Sequence, residues 1–180
     1  RLADANPKGA DLRGARLAGA SLNRADLSGA ILADAQLTGA DLTDAYLQEA
    51  ILWDADLQGA VVSYAHLKGA ALTGARLKGA ALVHASLPGA NLERADLRGA
   101  DMRGADLEGA NLLYADLPGA NLRSARLEGA VVTAAQLAQP RSLQGATLPD
   151  GTRLGEEAWQ AECEAWRREW NERGAFLGVS

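Results

Sequence analysis

The chain has 180 residues, of which 48% are hydrophobic and only 4% aromatic, so it can form one domain whose core is built from small and aliphatic side chains. The net charge of −5 and a pI of about 5.1 give no sequence-wide reason to expect nucleic acid or an acidic membrane as a partner. The single cysteine, Cys163, excludes an internal disulfide and a cysteine metal cluster, and no apolar run is long enough to span a membrane.

A repeat of five residues begins at the start of the chain. Alanine occupies every multiple of five from Ala5 to Ala135, and from position 12 to 137 the residue two places later is leucine except at Val62, Met102 and Val132. Five residues advance a helix by about 500°, which would scatter the leucines around it, and an odd repeat would flip them between the two faces of a straight strand. The pattern therefore predicts a β-solenoid in which a short extended piece is followed by a corner in every repeat.

Glycine adds a second period, of ten residues. It stands two places after the aliphatic position in every other repeat, and only Glu49 breaks the series: 9, 19, 29, 39, 59, 69, 79, 89, 99, 109, 119 and 129. Glycine columns stay in register when a coil has four sides and about twenty residues, but not when it has three sides. We therefore predict four-sided coils, with type II turns at the glycine corners and turns without a positive φ, such as type I, at the others.

The motif A-(D/N)-L-x-x, as in "ADLRG", "ADLEG", "ANLLY", "ADLPG" and "ANLRS", resembles that of the pentapeptide-repeat family. The resemblance implies an all-β solenoid, a right-handed quadrilateral β-helix, which we assign to residues 1–152. It implies a binding surface but no single function. One branch of the family, the quinolone-resistance and mycobacterial fluoroquinolone-resistance proteins, engages DNA gyrase as a rod that mimics DNA. This chain departs from that branch because its central position is almost always leucine and never phenylalanine.

The period changes in the C-terminal segment, residues 153–180. Trp159, Cys163, Trp166 and Trp170 follow one another at i, i+4, i+7 and i+11, which predicts an α-helix with one apolar stripe. Such a helix can cap the open end of the solenoid, or it can join two solenoids into a homodimer, as in some members of the family. The two roles are compatible, and on the apolar stripe Cys163 is predicted to be inert.

No set of side chains in the sequence converges on a catalytic, cofactor or metal site. His66 and His84 are the only histidines; in a coil of twenty residues they fall on different sides, and we expect both to face solvent. The acids and amides just before the leucines are predicted to hydrogen-bond the corners rather than a metal: Asp11, Asn91, Asp96, Asp101, Asp106, Asn111, Asp116 and Asn121.

The outer surface carries an acidic belt, residues 26–56. Between Arg24 and Lys68 there is no lysine or arginine, whereas seven acids occur. In coils of twenty residues Ile31 should stack under Ile51, and Asp34 under Asp54. Bulky outward residues near charge are typical of interfaces, so the candidate protein-binding face comprises Ile31, Asp34, Tyr46, Glu49, Ile51, Trp53, Asp54 and Tyr64. The alternative is neutral drift on a permissive surface.

These features favour a non-enzymatic scaffold whose partner is another protein, with homodimerisation through the C-terminal helix as an added possibility and without direct nucleic-acid or membrane binding. The alternative function is a DNA-mimicking, gyrase-binding protein of the quinolone-resistance type. The predicted location is the cytoplasm; Arg1 already lies inside the repeat, so a removed targeting segment stays open.

Overall fold

The computed structural model describes residues 3–155 of the chain. Over most of this length the backbone winds into coils of twenty residues. Parallel β-bridges join residues twenty apart, from Asp11 with Ile31 to Asn111 with Val131. The prediction of twenty-residue coils is thus confirmed, whereas the predicted C-terminal helix with Trp159, Cys163, Trp166 and Trp170 lies outside the described residues.

Each coil has four sides of five residues. We number the sides by the first complete coil: side one is residues 10–14, side two 15–19, side three 20–24 and side four 25–29, and each side recurs every twenty residues. Sides one and three are therefore opposite each other. The regular sides contain single bridges rather than longer strands, because a corner interrupts the extended backbone after every bridge.

The two inward positions of each repeat fill the interior. From Leu22 to Val132 the inward alanines and aliphatic residues are buried to within a few percent, and they form one continuous core. Leu12 and Leu17, in the first coil, are only partly buried. From Leu22 to Val132 these buried inward residues are all apolar, so the polar side chains of these coils that could contact a partner lie on the outside.

The corners all adopt one conformation. At each corner the N–H of the inward alanine donates to the carbonyl of the aliphatic residue three places earlier, as from Ala15 to Leu12 at 3.0 Å. The residue before that alanine has a positive φ at every corner from 4 to 129, at Asp44 (φ 56) and Tyr64 (φ 60) as well as at the glycines. The predicted type I turns are therefore wrong: stacking in register requires the same type II path at each corner, whichever residue occupies it.

Glu49 tests the cost of this conformation, because it replaces glycine in the series and holds φ at +57. We expect Glu49→Gly to raise the free energy of unfolding by about 1 kcal/mol, since non-glycine residues are strained in the left-handed region. At Gly59 (φ +63) an added Cβ would meet nothing within 4 Å, so Gly59→Ala introduces the same backbone strain without a steric clash. We expect this variant to lower the free energy of unfolding by about 1 kcal/mol. Urea denaturation measures both changes, and a less stable Glu49→Gly variant would contradict the expectation.

One short helix interrupts the solenoid. Helix α1, Ala134–Leu137, begins at Thr133, whose side chain forms a capping box with Gln136. Ala135 is therefore exposed, while Ala134 and Gln136 are buried, so the inward pattern ends at this helix rather than after Leu137 as the repeat suggests. Within the described part of the chain, no helix has the length and hydropathy of a membrane span.

Two glutamine side chains replace the backbone bonds that α1 removes. In a regular coil, residue 136 would accept from the N–H of Leu117 and donate to the carbonyl of Ala115. Here Gln136 Nε2 donates to the carbonyls of Leu112 (2.7 Å) and Ala115 (3.0 Å), and Gln139 Oε1 accepts from the Leu117 N–H (3.2 Å). The helix is thus tolerated because the side chains of Gln136 in the helix and Gln139 just after it hydrogen-bond the backbone groups of the preceding coil.

After α1 the coil resumes with one extra residue. Asn121 pairs with Ser142, and Arg126 with Thr147, each twenty-one residues apart. Leu143, Ala146 and Leu148 continue the buried core. An antiparallel bridge between Thr147 and Arg153 follows, so residue 153 still pairs with the solenoid.

Gln136→Leu tests the replacement of backbone bonds by side chains. We expect the free energy of unfolding to fall by about 1–3 kcal/mol, because two buried carbonyls lose a donor. The exposed Gln36 is a matched control, and Gln36→Leu should change stability by less than about 0.5 kcal/mol. Equal effects of the two substitutions in chemical denaturation would rule out the proposed role of Gln136.

Candidate protein-binding face

The structure divides the candidate residues among three sides. Ile31, Asp34, Ile51, Trp53 and Asp54 lie together on side one, where Ile31 pairs directly with Ile51 and the Asp34 N–H donates to the Trp53 carbonyl at 2.9 Å. The predicted stacking of Ile31 under Ile51 is therefore confirmed.

The remaining candidates lie away from Trp53. Tyr46 and Glu49 are on side four, which adjoins side one, and Glu49 forms the corner between them. Tyr64 belongs to side three, on the opposite side of the coil from Trp53. The eight residues thus do not make one face, and the part that forms a continuous surface is side one.

Trp53 is the main apolar projection of the acidic belt on side one. It is 50% exposed, and the equivalent positions one coil below and one coil above are the small residues Ala33 and Thr73. Ile31 and Ile51 beside it are half-buried. A tryptophan that stands out from a flat surface, without a bulky neighbour in its own column, offers an accessible ring to a partner.

Most acids of the belt lack a basic partner. Of the seven acids in the belt, only Asp56 forms an ion pair with a described residue, Arg76. Burial raises the pKa of Asp56, but hydrogen bonds from Gln58 and Thr38 and the charge of Arg76 together outweigh it and lower the pKa.

Asp26 and Asp41 accept hydrogen bonds locally, from Ser28 and Thr43 respectively. The Ser28 bonds lower the pKa of Asp26. The other four acids stand at exposed corners and form no ion pair with any described residue: Asp34, Asp44, Glu49 and Asp54.

The glycines one coil above two of the corner acids leave space that the carboxylates occupy. The Asp54 carboxylate lies against Gly74, and the Glu49 carboxylate lies against Gly69, so closely that neither glycine has room for a Cβ. A side chain at either position would displace the carboxylate. The small residue above each acid therefore helps to fix the direction in which that acid points.

Both histidines stack on tyrosines. Tyr46 and His66 have ring centroids 5.0 Å apart and planes inclined by 9°, and Tyr64 and His84 have centroids 5.4 Å apart and planes inclined by 25°. All four side chains are exposed, so the prediction of solvent-facing histidines is confirmed. Each pair is separated by twenty residues, and that spacing could have predicted the stacking.

Sequence reasoning missed Tyr114. This residue is 67% exposed, the highest value among the exposed large hydrophobic residues of the described chain, and it occupies the same corner column as Asp34 and Asp54 on side one. The guanidinium of Arg94, one coil below, lies 5.8 Å from its ring centroid. Tyr114 is sixty residues from Asp54, which is three coils, so the coil period was the signal that could have found it.

A solenoid with four-sided coils, an aliphatic interior and its charged side chains on the outer surface is a β-helical repeat protein. A family model for pentapeptide repeats matches residues 8–44, 40–79 and 75–112, with eight copies in all. The chain belongs to the pentapeptide-repeat family.

Solved structures agree with this assignment. HetL, a pentapeptide-repeat protein involved in heterocyst differentiation regulation in the cyanobacterium Nostoc sp. strain PCC 7120, is 42% identical with a TM-score of 0.81, over 84% of this chain and 69% of HetL. The family fold, a right-handed quadrilateral β-helix, is therefore the fold of this chain.

Two further structures are less similar. Rfr23 from the cyanobacterium Cyanothece 51142 is 40% identical over 50% of this chain and 58% of its own, with a TM-score of 0.40. The plasmid-mediated fluoroquinolone resistance protein QnrB1 is 19% identical over 91% of each chain, with a TM-score of 0.49. None of the curated proteins compared with the chain matches it in sequence.

Proposed function

We propose that the protein is a non-enzymatic, rigid scaffold that binds another protein through side one, with Trp53 at the centre of the contact. The observation that carries the proposal is the combination on side one of a half-exposed tryptophan with two corner acids, Asp34 and Asp54, that have no ion-pair partner among the described residues. Exposed tryptophan costs free energy unless a partner covers it, and it is enriched in the energetic centres of interfaces.

The rest of the scaffold supports this role. Backbone hydrogen bonds join successive coils, so the positions on side one are held at fixed separations along the rod. A partner can therefore dock without paying for much ordering of the face. HetL is described as involved in the regulation of differentiation, which is compatible with binding rather than catalysis.

The test compares two aromatic residues of equal exposure on opposite sides. Trp53 is 50% exposed and Tyr64 is 52% exposed. We expect the double variant Trp53→Ala, Ile51→Ser to lose at least about ten-fold in recovery of a partner by affinity capture and mass spectrometry, because side one loses its central apolar contact. Tyr64→Ala is the control and should retain the partner.

Thermal unfolding of both variants separates lost binding from lost folding. Undiminished capture by a folded Trp53→Ala, Ile51→Ser variant would overturn the proposal.

Charge favours this function over DNA mimicry. Mimicry of a polyanion requires unneutralised acids along the rod. Outside the acidic belt, eight of the ten acids among residues 3–155 form ion pairs with arginine, for example Asp96 with Arg98 and Asp101 with Arg103. Three of these eight acids share Arg126, but among residues 3–155 the unpaired acids are still concentrated in the two coils of the acidic belt.

We accordingly expect the purified chain to leave DNA supercoiling by gyrase unchanged, both with and without a fluoroquinolone. A fluoroquinolone resistance protein of the QnrB1 type serves as the positive control in this assay. Protection or inhibition of gyrase by this chain at comparable concentrations would favour the DNA-mimic function instead.

A further inference from the structure

Side one varies in bulk and charge from coil to coil. Its successive levels are residues 10–14, 30–34, 50–54, 70–74, 90–94 and 110–114. Adjacent levels are about 4.8 Å apart, as in any sheet, so the six levels span about 25 Å. Two features of this series, one steric and one electrostatic, are related by the same symmetry.

The steric feature is a bulky level directly below a small one. Level 50–54 presents Ile51 and Trp53, whereas level 70–74 presents Ala71, Thr73 and Gly74. The projecting ring of Trp53 is thus adjacent to a notch formed by small side chains. If two copies packed through side one with their rods antiparallel, the bulky level of each copy could fit into the small level of the other.

The electrostatic feature runs along the corner column of side one. From bottom to top this column contains Gly14, Asp34, Asp54, Gly74, Arg94 and Tyr114. The Arg94 side chain is 69% exposed, and its contact with Glu93 is long, at 3.9 Å. The column is therefore negative in its lower half and positive in its upper half, with Gly14 at the bottom and the exposed ring of Tyr114 at the top.

We propose that side one binds side one of a second copy of this chain, with the two rods antiparallel. The two-fold axis lies in the interface, perpendicular to the rods, midway between levels 50–54 and 70–74. A rotation about this axis keeps each column opposite itself and exchanges the levels. This inference rests on the proposed function of side one as a protein-binding face, and it names the partner.

The symmetry brings complementary groups together. Trp53 of each copy faces Thr73 of the other, and Ile51 faces Ala71, so each bulky level fills the small level opposite. Asp34 faces Arg94 of the second copy, and this ion pair occurs twice. Tyr114 faces Gly14 of the second copy. One axis thus satisfies the apolar, charged and end contacts together, as an isologous interface requires.

Two acidic groups oppose the association. Glu93 faces Ala33 of the second copy and therefore lies beside the Asp34 of that copy, which has the same charge. Asp54 faces Gly74 of the second copy, and its carboxylate already leans toward Gly74 of its own chain, so the two Asp54 carboxylates approach each other near the axis. The face is also small, about 25 Å by about 10 Å, which is less than the roughly 800 Å² per partner of a standard stable interface. We therefore expect a weak dimer that forms as the concentration rises.

Sedimentation equilibrium of the full chain over a concentration series tests the proposal. We expect Asp34→Arg and Arg94→Asp each to weaken self-association at least about ten-fold, because each creates two like-charge contacts, and the double variant to restore it to within about three-fold of the original. Asp54→Asn should strengthen self-association by removing the repulsion at the axis. Tyr64→Ala, on the opposite side, is the control and should have no effect.

The outcomes separate this inference from the proposed function. A chain that stays monomeric at all concentrations, or a dimer that is insensitive to both charge reversals, as an association through the C-terminal segment would be, overturns the antiparallel pairing. In either case the loss of a different partner in the Trp53→Ala, Ile51→Ser capture experiment would still support side one as a protein-binding face. If the Trp53→Ala, Ile51→Ser variant changes neither self-association nor capture, both proposals are wrong.

Discussion

The structure depends on the hydrogen bond that closes each corner. The N–H of the inward alanine donates to the carbonyl of the aliphatic residue three places earlier, and the residue just before the alanine takes a positive φ. Because this turn recurs in every repeat of five residues, the two inward positions of each repeat always face the interior. Residues with a period that suits neither a helix nor a straight strand are therefore buried. Alanine fits where the chain bends around the interior, while leucine fills the centre of each side.

The same turn leaves the outward positions of each repeat free to vary. Three of the five positions in a repeat face outward, and the core places little demand on them, so their identity is decided by neighbours in the same column one coil away. Tyr46 with His66, and Arg94 with Tyr114, are contacts of this kind. A column of residues spaced twenty apart in sequence is therefore the natural unit of surface contacts in this protein, in the way that an i, i+4 pair is on a helix.

The period explains how much the sequence could predict. Glycine at every tenth position was sufficient to distinguish four sides from three, and hence to place Ile31 under Ile51. Glycine was a poor guide to corner conformation, because the closing hydrogen bond imposes a positive φ on Asp44 and Tyr64 as well. Helix α1 was missed because Ala135 and Leu137 keep the repeat pattern, while the capping box of Thr133 and Gln136 favours a helix over the same residues.

Irregularity gives such a rod its specificity. If all coils presented the same outward residues, a partner could bind equally well after sliding by one coil, about 4.8 Å, and no single complex would be favoured. A bulky level such as Ile51 with Trp53 next to a small level such as Ala71 with Thr73 removes that degeneracy, and the change of sign between Asp34 and Arg94 removes it again by charge. Departures from the repeat that share one side, and that change bulk and charge together, are therefore better evidence of a binding face than any single exposed residue.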